Sequence, residues 1–180
     1  MRFNNSDGIT VAEWLEKAPK KEITEILYKY GDEKHGKLIA DVIDKERKNK
    51  LIKTTLELAE IIQKNYPEKT KKTHPATKSF QAFRIFINKE IEEFEKSLQI
   101  SKEILKSGGV IVTIAFHSLE DNIIKNFFKP SLINYPKDIP LNNELERSFK
   151  CIAKKIRPSE DEVNSNPRAR SAIMRAFQKI

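Results

Sequence analysis

Three side chains in the pentapeptide His117-Ser118-Leu119-Glu120-Asp121 could do chemistry together: an imidazole, a hydroxyl and a carboxylate. A hydrolytic triad needs them to converge on one point. Neighbouring side chains on an extended strand point to opposite faces, so adjacent His117 and Ser118 fit that arrangement poorly. The flanking residues suggest a different setting. The run from Gly109 to Phe116, GVIVTIAF, is β-branched and almost continuously apolar, as expected of an interior strand buried on both faces in a sheet covered by helices. After it, Leu119, Ile123, Ile124, Phe127 and Phe128 fall at helical spacing. Ser118 is the expected N-cap of that helix, its hydroxyl accepting from the Asp121 amide while the Asp121 carboxylate reaches back to the serine amide. Open α/β sheets bind ligands at the carboxyl ends of their strands, which is where this strand hands over to a helix. His117 is therefore open to two roles, a hydrogen-bonded strand-end residue or a working group in such a crevice.

A second group of candidates is basic. Arg84 and Asn88, with Gln81, stand at spacings of three and four that share one helix face, which suits either a solvated face or a binding one. Near the end of the chain, Arg147, Lys150, Lys154, Lys155, Arg157, Arg168, Arg170, Arg175 and Lys179 are opposed only by Glu160, Asp161 and Glu162. The whole chain of 180 residues carries a formal net charge of +8. That balance points to a polyanionic partner, RNA being the commonest for a basic protein. Cys151 is the single cysteine, which excludes an intrachain disulfide and suits a reducing compartment. His35, His74 and His117 lack metal-ligand spacing, so no metal site is expected. No apolar run approaches the ~20 residues that span a bilayer, and the polar start from Asn4 to Gly8 is no signal peptide. The expected location is the cytoplasm.

The elements that must position these residues change character along the chain. From Thr10 to about Lys106 all periodicity is helical, and from Gly108 strands alternate with helices. Thr10 is placed to cap VAEWLEKA, and Gly31 to end a helix that begins near Lys20. A third helix covers Lys34 to Arg47, and Thr54 or Thr55 caps a fourth that Pro67 closes. Short helices joined by short loops suggest a small bundle. Pro75 suits the first turn of the next helix, whose register runs from Phe80 nearly to Gly108. A bend is expected near Asn88 to Glu90, because an unbroken helix of that extent would span about 45 Å. Pro130, Pro136 and Pro140 mark an irregular connection. A strand from Phe149 to Ile156, a short helix capped by Ser159, a turn at Asn166-Pro167 and a last alternating strand through Gln178 complete the chain.

Three stretches in this order, HPATKSFQAFRI, GGVIVTIAFHSLEDNIIKNFF and NPRARSA, are more specific together than singly. With MRF at the start and YGDEKHGKLIADVI, they resemble the ribosomal RNA small-subunit methyltransferase H family, also called MraW, over essentially the whole chain. Asn122 and Ile173 depart from that pattern, standing where basic residues are expected. The resemblance implies an α/β fold: the second half of a Rossmann-like methyltransferase sheet, preceded by a helical insertion. Residues 1–75 would be the insertion, serving substrate recognition, and 76–180 the C-terminal half of the methyltransferase domain. The family's activity is S-adenosylmethionine-dependent methylation of the exocyclic N4 amine of a cytosine in the decoding region of small-subunit ribosomal RNA. The implied partners are that RNA or the small subunit, with a second copy of the chain as a possible dimer partner.

On that resemblance His117 would orient the base or relay a proton, since an imidazole does either near neutral pH. Ser118 and Asp121 would complete the catalytic turn, and Arg84, Asn88, Arg168 and Arg170 would contact RNA. Such enzymes cradle the cofactor with a glycine-rich turn after the first strand. Gly8, Gly31, Gly36, Gly108 and Gly109 form none, so the chain is expected to be a fragment, inactive alone, with its cofactor-binding residues upstream of Met1. The competing reading is a noncatalytic basic RNA-binding module, which has no need of a strand-turn-helix at His117.

Overall fold

A computed structural model of the chain describes residues 1–4, 6, 8–67, 73–129 and 148–180. The expected connection through Pro130, Pro136 and Pro140, and Arg147, lie outside the described residues. The chain divides into two compact units, Met1–Glu92 and Glu93–Ile180. Among the described residues there are eight α-helices and three strands, a mixed α/β fold.

The first unit is helical: α1 (Val11–Lys17), α2 (Lys20–Gly31), α3 (Gly36–Asn49), α4 (Thr55–Asn65) and α5 (Thr77–Ile87). Two of these begin with full capping boxes. Thr10 accepts from the Glu13 amide and Thr54 from the Glu57 amide, and each glutamate returns to the amide of its cap. Thr54 is thus the threonine that starts α4. Trp14, Leu15, Ile23, Leu27, Ile43, Leu58, Ile62 and Phe83 close a continuous core, with the Trp14 ring 5.7 Å from that of Phe83. A buried carboxylate ties the α2–α3 turn to the residue capping the end of α4, Glu33 Oε1 accepting from the His35 amide at 3.0 Å and from Tyr66 Oη at 3.1 Å.

α2 ends at Gly31, as expected, although the left-handed position after it is taken by Asp32, at φ 46°. Gly31 is needed for close packing: a Cβ there would stand 2.6 Å from the Lys78 carbonyl oxygen of α5. Pro75 precedes α5 in a turn and lies outside its first turn, with Ala76 as the cap residue. The bend expected near Asn88 to Glu90 is a full break, because Lys89 adopts φ 51° between α5 and α6 (Glu90–Ile104).

The second unit holds β1 (Val110–Ala115), α7 (Ser118–Phe127), β2 (Phe149–Ile156), α8 (Glu160–Ser165), a 3-10 turn (Pro167–Ser171) and β3 (Ile173–Lys179). The strand order is β1-β3-β2, with both pairs antiparallel. The last strand in the chain is therefore the central one, and β1 is an edge of this sheet, contrary to the interior position its apolar run suggests. Among the described residues only one face of β1 is covered. Thr113 and Ala115 are buried, Ala115 in a small core with Ile124 and Phe177, whereas Val110, Val112, Ile114 and Phe116 are about half exposed. The run reads as doubly buried because both of its faces are apolar, yet nothing among the described residues covers the second.

Candidate functional site

The strand-turn-helix at His117 lies where β1 meets α7. His117, and not Ser118, is the N-cap: its backbone is extended and its Nδ1 accepts from the Glu120 amide at 3.4 Å. Ser118 is the first helical residue and is exposed. The expected Ser118–Asp121 box is thus displaced by one residue, to His117 and Glu120. Glu120 Oε2 accepts from the Phe116 amide at 2.8 Å and clamps the end of the strand to the start of the helix. With Nδ1 accepting, the neutral ring carries its proton on Nε2. That atom is buried and lies 3.1 Å from Glu120 Oε1, in a geometry that makes no hydrogen bond. Burial pushes the Glu120 carboxyl up, but the adjacent His117 imidazole and the Phe116 amide outweigh it, and the group titrates below its ordinary value.

Asp121 belongs to a separate network. Its carboxylate is gripped by Arg175 of β3, Nε to Oδ1 at 2.6 Å and Nη2 to Oδ2 at 3.1 Å, with Lys125 Nζ 3.3 Å from Oδ2. The remaining guanidinium nitrogen, Nη1, donates to the Lys154 carbonyl of β2. The Arg175 hydrogen bonds hold the Asp121 carboxyl below its ordinary range against burial, with help from Lys125, and Asp121 in turn raises Arg175. Asp121 therefore joins α7, β3 and β2. His117, Ser118 and Asp121 are close in space, but their functional groups are split between two networks.

The basic candidates form two separate pairs. Arg84 and Asn88 meet at the α5–α6 break. Arg84 forks onto both oxygens of Glu90 at 2.8 and 2.9 Å. Asn88 Oδ1 accepts from the Phe3 amide, and its Nδ2 donates to the carbonyls of Met1 and Arg84. Both side chains are thus engaged within the first unit. Arg168 and Arg170 lie exposed on the 3-10 turn, and neither takes part in an ion pair among the described residues.

Two residues of these networks are not singled out by the sequence patterns. Glu120 is visible as the acid three places after His117, but serine is the usual cap and draws the pattern one residue on. Arg175 lies far from Asp121 in sequence and comes beside it only through the pairing of Thr113 with Arg175 across β1 and β3.

None of the five glycines lies in a turn from a strand into a helix. The space of a Cβ at Gly31, Gly36 and Gly109 is filled by the chain's own atoms, and Gly8 and Gly108 precede α1 and β1 respectively. The five glycines therefore do not supply the strand-to-helix glycine turn expected of a cradle for S-adenosylmethionine. Among them, no helix is long and apolar enough to cross a membrane.

The MraW methylase family matches the chain over residues 1–180. Among curated relatives, ribosomal RNA small subunit methyltransferase H of Buchnera aphidicola subsp. Cinara cedri is 45% identical over 186 residues, covering 100% of this chain and 61% of that protein. The protein of the same description from Nitrosomonas eutropha is 42% identical, covering 100% and 60%. That from Coxiella burnetii is 41% identical, covering 100% and 59%. The chain spans about three fifths of the length of these relatives.

Proposed function

The chain belongs to the MraW methylase family, and from that premise we propose that it forms part of a methyltransferase acting on the exocyclic N4 amine of a cytosine in the decoding region of small-subunit ribosomal RNA. The match over residues 1–180 carries this reading. The methyl donor is S-adenosylmethionine, held by the share of the relatives' length that this chain does not cover. On this reading residues 1–75 are the helical insertion, 76–180 belong to the second half of a Rossmann-like domain, and the protein works in the cytoplasm.

The chain's own contribution is to receive and deprotonate the base. The cytosine must leave its stack to be reached, and its amine, conjugated with the ring, must be turned so that its lone pair is free. His117, at the junction of β1 and α7, would orient the base or relay its proton. Glu120 beside it would take the proton that the amine has to lose. An alkylated cytosine amine is strongly acidic before that loss, so a carboxylate with a lowered pKa suffices as acceptor. Arg168 and Arg170 meet phosphates, and Arg84 and Asn88 shape the recognition surface at the α5–α6 break.

The test is calorimetric titration with S-adenosylmethionine of the chain alone and of the chain mixed with the uncovered part of the Buchnera relative, followed by methyl-transfer assays on small-subunit RNA. No binding alone, with binding and transfer in the mixture, is the expected result. Micromolar binding by the chain alone would overturn the proposed division of labour. RNA binding with no cofactor binding in either sample would instead favour a noncatalytic RNA-binding module.

A further inference from the structure

The outer edge of β2 carries exposed charge of one sign. Lys150, Lys154 and Lys155, with Arg157 just beyond the strand, are all exposed, and no acid interrupts residues 148–158. None of the four takes part in an ion pair among the described residues. The acids that follow, Glu160, Asp161 and Glu162, stand in the first turn of α8, where the helix dipole favours them.

The strand is built irregularly where its cations cluster. Cys151 pairs with Phe177, Ala153 with Ala176 and Ile156 with Met174, so β2 carries one extra residue in each interval. Bulges of this kind re-aim side chains at sheet edges. Lys154 and Lys155 occupy the second bulge, and both are exposed even though they are adjacent on a strand. The Lys154 carbonyl is held by Arg175, itself anchored on Asp121. β2 pairs only with β3 among the described residues, so its outer backbone amides are also available to an acceptor.

Lysines on an edge strand can serve simply to block sheet-to-sheet association. That purpose is met by charge of either sign and by one or two residues. Four cations of one sign with open backbone donors between them instead complement a phosphate backbone. We propose that the β2 edge, Lys150, Lys154, Lys155 and Arg157, is a phosphate-backbone-binding surface for RNA, additional to Arg168 and Arg170. The choice of RNA over another polyanion rests on the methyltransferase reading. The surface grips sugar-phosphate without reading bases, so its contribution is to affinity and placement.

The test is fluorescence anisotropy of a labelled single-stranded RNA of mixed sequence, titrated with the chain across a salt series. Three proteins are compared: the unsubstituted chain, the combined Lys150→Ala, Lys154→Ala, Lys155→Ala and Arg157→Ala variant, and the Arg168→Ala and Arg170→Ala variant. All the substituted side chains are exposed, and circular dichroism checks that each variant is folded. The four-residue variant is expected to lower the slope of log K against log salt by about 2 to 3, since each phosphate of a single strand that a cation neutralises adds roughly 0.7 to that slope. An unchanged slope with RNA still bound would overturn the β2 surface and leave the methyltransferase reading intact, since that reading is judged by the cofactor titration. Failure of the unsubstituted chain to bind RNA at low salt would also overturn it. So would binding to phosphatidylglycerol vesicles, but not to RNA, that depends on the same four residues.

Discussion

The two units bury apolar surface in different ways. In the first, helices surround a core whose members Ile23, Leu27, Ile43, Leu58, Ile62 and Phe83 are essentially inaccessible, with α2 packed against both α3 and α5. In the second, a three-stranded sheet buries Ala115, Ile124 and Phe177 on one face and leaves Val110, Val112 and Ile114 of β1 about half exposed on the other. A helix satisfies its own backbone and needs neighbours only along one stripe, so a small bundle can close on itself. A sheet has two faces and two edges, and the described residues of this unit cover only part of them. The contrast shows where this chain is self-contained and where its sequence is written for further contacts.

The contrast breaks most readily in the cores. Phe83→Ala removes a fully buried ring that meets Trp14, and the expected cost is about 3–5 kcal/mol. Trp14, the single tryptophan, reports unfolding of this unit directly in a denaturant titration. Ile114→Thr on the open face of β1 should cost no more than about 0.5 kcal/mol, as for other exposed positions. Hydrogen exchange of the β3 amides follows that unit. Comparable losses from the two substitutions would mean that the open face is packed, and the contrast would fail.

A sharper probe lies at the Asp121–Arg175 pair in the second unit. Asp121→Ala would strand the Arg175 guanidinium in a largely buried position, at an expected cost of about 3 kcal/mol, the low end for a broken buried pair. The pair also fixes a pH dependence. Asp121 titrates below its ordinary value in the folded state, so its contribution is fully present above the ordinary carboxylate pKa of about 4 and is lost as pH falls through the folded pKa. Asp121→Asn removes that titration and should flatten the acid limb of stability measured on the β3 amides, leaving the Trp14 transition of the first unit unchanged. A flattened Trp14 transition would show that the two units do not unfold separately.

How far these features are legible in the sequence depends on how local they are. The caps of α1 and α4 are local and legible, although the sequence leaves Thr54 and Thr55 both open and the returning glutamates Glu13 and Glu57 are seen only in the structure. The bounds of β2 and the Ser159 cap read equally well, because alternation and turn residues mark them. The place of β1 in the sheet is not legible, since strand order is decided by pairing with β3, which follows α7, β2 and α8. The same holds for the Asp121–Arg175 pair. The apolar run of β1 reads as doubly buried for a sound reason: residue type records the surface a strand is made to meet, whereas the structure records what meets it. At His117 the pattern is off by one residue because a serine beside a histidine is by propensity the better cap.

That one-residue difference yields the smallest and most discriminating effect. If His117 caps α7, Ser118→Ala should leave stability within about 0.5 kcal/mol, as at other exposed positions. His117→Ala should cost about 0.5 to 1 kcal/mol, the low end for a lost cap, because the Nδ1 bond is long. His117→Asn separates the cap from the chemistry. Asparagine is among the best N-cap residues, so this variant should be as stable as the unsubstituted chain by hydrogen exchange of the α7 amides, yet it has no imidazole. In the mixture that restores methyl transfer, His117→Asn should then lower turnover while RNA affinity is unchanged. Full turnover in a stable His117→Asn variant would reduce His117 to a cap and move the site to other residues. A stability loss in Ser118→Ala larger than that in His117→Ala would return the cap to the serine and undo the His117–Glu120 arrangement on which the proposed proton transfer depends.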